Sequence, residues 1–100
     1  MNKLVQIHFK TPGPFGAQMA IQYRELAESI KEEPGFIWKI WTENAAEGEA
    51  GGIYYFEDEE TARAYVKMHT ERLKGFGIED IHCSLFDVNE PLTVITNGPL

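Results

Sequence analysis

Cysteine is almost missing from this chain: Cys83 is the only one in 100 residues. That excludes an internal disulfide framework and makes a reducing, cytoplasmic setting the expectation. Its place in an apolar stretch reads as a small core residue rather than a reactive thiol. Long hydrophobic runs are missing too. No segment approaches the length needed to cross a bilayer, and Met1 to His8 alternates instead of forming the apolar run of a leader peptide. Cations are scarce, nine Lys and Arg against sixteen acidic residues, for a formal charge of -7. Because those nine are scattered singly, a nucleic acid or an anionic membrane surface is not an expected partner.

Several chemistries lack their spacing. His8, His69 and His82 form no His-x-x-x-His, and no Cys-x-x-Cys occurs, so no metal is expected. The proline of Gly13-Pro14-Phe15-Gly16 removes an N–H donor that a phosphate cradle would need. Ser29 falls in a helical stretch and Ser84 in a strand, neither in a Gly-x-Ser-x-Gly turn.

What is abundant is aromatic side chain. Two Trp, four Tyr and six Phe in a chain that is 43% hydrophobic exceed the needs of a small core, which points to a pocket or an interface. Alternation over Leu4 to Phe9 predicts a strand. Phe15, Met19, Tyr23, Leu26, Ala27 and Ile30 recur at helical steps and predict one helix from about Phe15 to Glu33, with Pro14 favouring its first turn and Pro34-Gly35 ending it. A strand from Phe36 to about Thr42 follows, then a polar hairpin loop over Glu43 to Glu49 and a strand from about Gly51 to Phe56. Asp58 is a good N-cap for a helix over Glu59 to Lys74, with Ala62, Tyr65, Val66, His69 and Leu73 as its stripe and Gly75 as its stop. Ile78 to Val88 reads as a long fourth strand, and Thr93 to Thr96 as a short β-prone patch between prolines.

Strand, helix, strand, repeated and joined by a hairpin, predicts one domain over residues 1–100 in the α+β class: a ferredoxin-like βαββαβ antiparallel sheet with both helices on one face. The other face would normally be polar. Yet Leu4/Val5, Phe36/Ile37, Trp38/Trp41, Ile53 to Phe56 and Leu85/Phe86 put large apolar groups on both faces. A second copy covering the bare face is the expected solution, hence a homodimer, with the tail crossing to pair with the partner.

His69 shares the apolar stripe of the second helix, so it points at the sheet. There it is either satisfied by a neighbour such as Gln6 or Tyr54 or it faces a cavity, where a neutral imidazole could accept a proton from a phenol. His8 and His82 sit on strands that the topology makes neighbours, with His82 read as hydrogen-bonded in or beside the core. Trp38 and Trp41, three apart, face opposite ways, one toward the helix-side layer or pocket and the other toward the dimer interface. Lys39 and Glu43 share a face with Trp41, and Thr42 with Trp38. Gly51-Gly52 reads first as a hairpin closure and second as a close backbone approach.

Gln6-x-His8-Phe9, Gly13-Pro14-Phe15-Gly16, Pro34-Gly35-Phe36-x-Trp38-Lys39-x-Trp41-Thr42-Glu43, Ala50-Gly51-Gly52-Ile53-Tyr54, Ala64-Tyr65, His69-Thr70-x-Arg72-Leu73 and Phe86 to Leu92 together resemble the YdhR family of small bacterial proteins, assigned as monooxygenases. The resemblance covers nearly the whole chain. It implies a dimeric α+β barrel, in which two ferredoxin-like sheets pack together with helices outside. The wider superfamily includes cofactor-independent quinone-forming monooxygenases and haem degraders. By that resemblance the protein is an oxidoreductase acting on a flat phenolic or anthrone-like molecule, with neither metal nor flavin. Gln6, Trp38, Trp41, Tyr54 and Tyr65 would bind the ring, while His8, His69 or Arg72 would take the proton or hold the oxyanion. Two other readings are a dimer that binds a small molecule without turning it over, and a haem protein. Of the residues used by haem degraders only His69 has a counterpart, since no Trp occurs from Asp58 to Leu73.

Overall fold

The computed structural model describes residues 2–100; Met1 lies outside the described residues. Four strands, β1 (Lys3–Lys10), β2 (Phe36–Asn44), β3 (Glu49–Phe56) and β4 (His82–Asp87), form one antiparallel sheet in the order β2-β3-β1-β4. Helices α1 (Gly16–Gln22) and α2 (Arg24–Ile30) join β1 to β2, and α3 (Glu59–Gly75) joins β3 to β4. This is the expected ferredoxin-like α+β arrangement.

Register assigns the paired strand residues to a face. Val5 pairs with Tyr54 and Leu85, Ile7 with Gly52 and Cys83, and Trp41 with Gly52, so these share the side that the helices cover. Val5, Ile7, Ile30, Tyr54, Phe56, Ala62, Tyr65 and Leu73 form the buried core there. The opposite face carries Leu4, Gln6, His8, Trp38, Ile40, Ile53, Tyr55 and Phe86. An irregularity in register between Phe36 and Trp38 is what separates these two neighbours. Phe36 turns inward to meet Phe56 edge-on, whereas Trp38 stacks on Tyr55 outside, 5.4 Å between centroids.

α3 is capped as its sequence predicts: the Asp58 carboxylate accepts from Thr61 N at 2.8 Å, and Ala62, Tyr65, His69 and Leu73 are buried. Its predicted stop is displaced. Gly75 is the last helical residue, and Gly77, at φ +85°, makes the left-handed turn.

Four further expectations need correction. The single helix over Phe15 to Glu33 is two short helices broken at Tyr23, whose ring stacks on Trp41 of β2. Its start is at Gly16, beyond Pro14, and the missing cap is supplied from β2, where the Glu43 carboxylate accepts from Gly16 N at 2.7 Å. The fourth strand begins only at His82, because residues 76–81 turn the chain through Gly77 and Asp80, both at positive φ. The β-prone tail is a helix, α4 (Glu90–Ile95): the Asn89 side chain accepts from Leu92 N, and Pro91 fits the first turn. Cys83 faces the helix side, its Sγ 3.8 Å from Thr70 Oγ1, but β4 is the sheet edge and the thiol is exposed.

Gly35 holds the approach to β2 at φ +75°, and a Cβ there would stand 2.1 Å from Thr61 Oγ1. Both the backbone angle and the space require glycine. Gly35→Ala is expected to cost about 2–3 kcal/mol, measured by urea unfolding; a loss within 0.5 kcal/mol, about the effect of an inert surface change, would remove this account of the turn.

Candidate active site

Between the sheet and the helix layer lies a narrow cavity of about 40 Å³. Tyr54 and Lys39 form part of its floor, His69 comes from α3, Met19 and Tyr23 from α1 and the chain after it, and Trp41 from β2. A water needs roughly 10–15 Å³ and an apolar space on the order of 150 Å³ takes a benzene ring. The narrow cavity thus suits a few waters. Beside it an open groove of about 310 Å³ runs along α1, lined by Ala20, Arg24 and Glu43. Met19, Tyr23 and Trp41 line both spaces, and the Tyr23 and Trp41 rings stack at 6.5 Å. This stacked pair is the partition.

His69 is buried among aromatic rings, 5.1 Å from Tyr65 and 6.2 Å from Tyr54 between centroids. Its partner is neither Gln6 nor Tyr54. Arg72, one turn along α3, donates to His69 Nδ1 from Nε at 3.2 Å and Nη2 at 3.0 Å. Burial first, then the charges of Arg72 and Lys39, lower the His69 pKa to about 3. The imidazole is neutral at physiological pH.

Lys39 is the residue that sequence reading passed over. Its Nζ lies 3.3 Å from the centroid of the Trp41 ring and 4.6 Å from that of Tyr54. The position is possible because Gly52 lies beneath it: a Cβ at Gly52 would come within 2.5 Å of Lys39 Cε. Gly51 has a different reason for lacking a side chain, since a Cβ there would meet the Ile7 carbonyl oxygen at 2.0 Å. Neither glycine closes the hairpin, which turns at residues 45–48; both are inside β3. Burial and the Arg72 charge lower the Lys39 pKa to about 7. Burial likewise raises Tyr54 well beyond the ordinary phenol range and Tyr65 to about 12. The Tyr65 hydroxyl, near Tyr54, has no hydrogen-bond partner among the described residues.

The structure therefore gathers Trp41, Tyr54 and His69 around one cavity, with Tyr65 and Arg72 packed behind His69. It puts Gln6, His8 and Trp38 on the other face of the sheet. Trp38 there donates from Nε1 to the Pro99 carbonyl at 2.9 Å. His82, read as a core residue, is exposed on that face and stacks on His8 at 5.0 Å. Among the described residues no third His, Cys, Asp or Glu joins them in a metal-holding group.

A family model described as "Putative mono-oxygenase ydhR" matches residues 4–99. Among solved structures, the chain is similar to a point mutant of SnoaB, a cofactor-independent oxygenase from Streptomyces nogalater, at TM-score 0.62 and 15% identity over 88% of this chain and 93% of that one. It is also similar to a "putative antibiotic biosynthesis monooxygenase" of Deinococcus radiodurans at TM-score 0.57 and 13% identity, over 89% and 93% of the two chains. At these identities the likeness is one of fold. A search of curated proteins gives no match.

Lys39→Met is expected to stabilise the protein at pH 7 by about 2 kcal/mol, because it removes a half-buried amine whose protonated form is disfavoured there and that no carboxylate balances. The sign follows from proton counting. Between pH 7 and 10.5 the unfolded chain holds a proton that folded Lys39 has released, so wild-type stability rises with pH across that window and the variant's advantage shrinks. Urea midpoints at pH 7 and 9.5 measure it; an advantage unchanged between them contradicts the lowered pKa.

Proposed function

The chain belongs to the ydhR mono-oxygenase family, and we propose that it acts on an aromatic, phenolic small molecule, as a homodimer, without metal or flavin. The observation that carries this reading is the cavity itself, where Trp41 and Tyr54 offer ring surfaces beside two nitrogen groups, Lys39 and His69. A phenol has little tendency to react with dioxygen, whereas its anion is electron-rich enough to pass an electron to it. The protein's share of such a reaction is to bind the ring, favour the anion and exclude water. Among the described residues no carboxylate lines the cavity, and of its two nitrogen groups Lys39 is the one that can carry charge near neutrality, so an anion is the charge it favours. A ring enters by displacement of the Tyr23–Trp41 partition, which joins the narrow cavity to the groove.

Dimerisation is supported by the uncovered face. Ile40 and Phe86 are 50% and 47% exposed beside the half-buried Leu4 and Ile53, which together make an apolar surface with few charges. A second copy of the same sheet is self-complementary to it. α4 presents Leu92, Val94 and Ile95 to solvent, an apolar surface suited to reaching the partner. Phe86→Glu is expected to convert the dimer to monomer in sedimentation velocity, and truncation after Pro91 to weaken the dimer at least tenfold. Sedimentation unchanged by both rules out this interface.

Oxygen uptake by metal-free protein, measured with a panel of anthrones and quinols, tests the activity. Uptake above the protein-free rate, with the oxygenated product found by mass spectrometry, is expected for at least one compound. A panel with no excess uptake, together with unchanged ligand recovered from purified protein, would instead establish a binding protein.

A further inference from the structure

The reaction proposed above needs a group to take the phenolic proton, and the buried histidine is the wrong one. A guanidinium only donates, so the two contacts from Arg72 require a lone pair on His69 Nδ1 and put the ring's proton on Nε2. His69 is then a hydrogen-bond donor toward the cavity it lines. Arg72, which holds that tautomer, is a positioning residue.

Lys39 has what His69 lacks. Its stem crosses the bare backbone of Gly52, and its nitrogen rests between the Trp41 and Tyr54 rings. The ionisable groups around it are Tyr54 from β3, Tyr65, His69 and Arg72 from α3, Tyr23 at the end of α1, and Glu43 on its own strand. The one carboxylate in that set, Glu43, is engaged by Gly16 N. Among the described residues no acidic side chain forms an ion pair with Lys39.

We propose that Lys39 is the catalytic base of this site and the anchor of the substrate's oxyanion. The assignment rests on the phenolic reading given above. In the step, the uncharged amine takes the proton of an aromatic hydroxyl: the O–H bond breaks, an N–H bond forms, and the electron pair stays on oxygen. The new ammonium then faces the phenolate, and His69 Nε2–H supplies a second donor. No oxidant is consumed in this transfer. A base that titrates close to neutrality is matched to phenols and enols that ionise in the same range, which defines the substrate class as acidic hydroxyl groups on flat rings.

Two measurements test this. First, the lysine side-chain signals of wild type and Lys39→Met are followed by NMR from pH 5 to 11. One lysine titrating near neutrality, absent from the variant, is expected; all lysines titrating together above pH 10 overturns the proposal. Second, a hydroxyanthraquinone whose phenol and phenolate absorb differently is bound at a pH well below its own ionisation. Wild type is expected to show the phenolate band. Lys39→Met should lose it, and Gly52→Ala, which keeps the amine but pushes it aside, should weaken it at least fivefold. A band of wild-type intensity in Lys39→Met overturns the assignment while leaving the phenolic reading in place. A dye that binds none of the proteins, combined with no oxygen uptake, removes the phenolic reading and this assignment with it.

Discussion

A lysine held against two aromatic rings with no carboxylate to neutralise it sets the character of this molecule's interior. Burying an ammonium is expensive, and attraction to a ring face returns only part of the cost, on the order of 1–2 kcal/mol. The protein meets the remainder by letting the group give up its proton near neutrality. That outcome depends on a detail of the neighbouring strand, the missing side chain at Gly52, which leaves the lysine stem a path across the sheet. A chain with a formal charge of -7 thus encloses a cavity lined, among the described residues, by no carboxylate and by one group, Lys39, that can carry positive charge near neutrality. A cleft of one sign with low-dielectric walls focuses its field on whatever enters.

Much of this was legible from residue order. The helical stripe that ends in Leu73 turned His69 toward the sheet, and the three-residue spacing of Trp38 and Trp41 placed them on opposite faces, as the structure shows. Parity also tied Lys39 and Glu43 to Trp41. What parity lacks is direction: which face meets the helices follows from the pairing of Lys39 with Tyr54 and of Trp41 with Gly52, while the register irregularity beside Phe36 breaks the alternation at the start of the strand, and no single residue type announces either. Lys39 was passed over because a lysine in a strand ordinarily reaches water, and because the function of Gly52 is visible only when its neighbour across the strand is known. Cys83 and His82 misled for a related reason. Their strand is apolar enough to read as central, yet it is the sheet edge. The tail failed through propensity: Thr93 to Ile95 favours a strand in isolation, but Asn89 and Pro91 together start a helix.

The two faces of the sheet carry separate tasks through shared strands. β1 sends Val5 and Ile7 to the core and Leu4, Gln6 and His8 to the other side; β2 sends Trp41 to the cavity and Trp38 outward, where its indole nitrogen holds the chain's end. A shift of register by one residue would exchange these sets, so the pairing that builds the cavity also builds the apolar surface. Glu43 adds a third connection. It starts α1 from the strand that carries Trp41, and so fixes the helix that forms the other wall of the cavity.

Trp41 is at once the partition between cavity and groove and the ring over which Lys39 sits. A molecule that displaces it must therefore also strip the lysine of its aromatic partner. An uncharged guest offers nothing in return and leaves an amine with fewer contacts than before. A guest with an acidic hydroxyl restores them, since proton transfer to the uncharged amine creates an ammonium–phenolate ion pair where an amine and a ring had stood, in surroundings of low dielectric where that exchange is favourable. Opening of the site and ionisation of its occupant are on this geometry linked, and the selectivity of the cavity lies less in its shape than in what its occupant can do for Lys39.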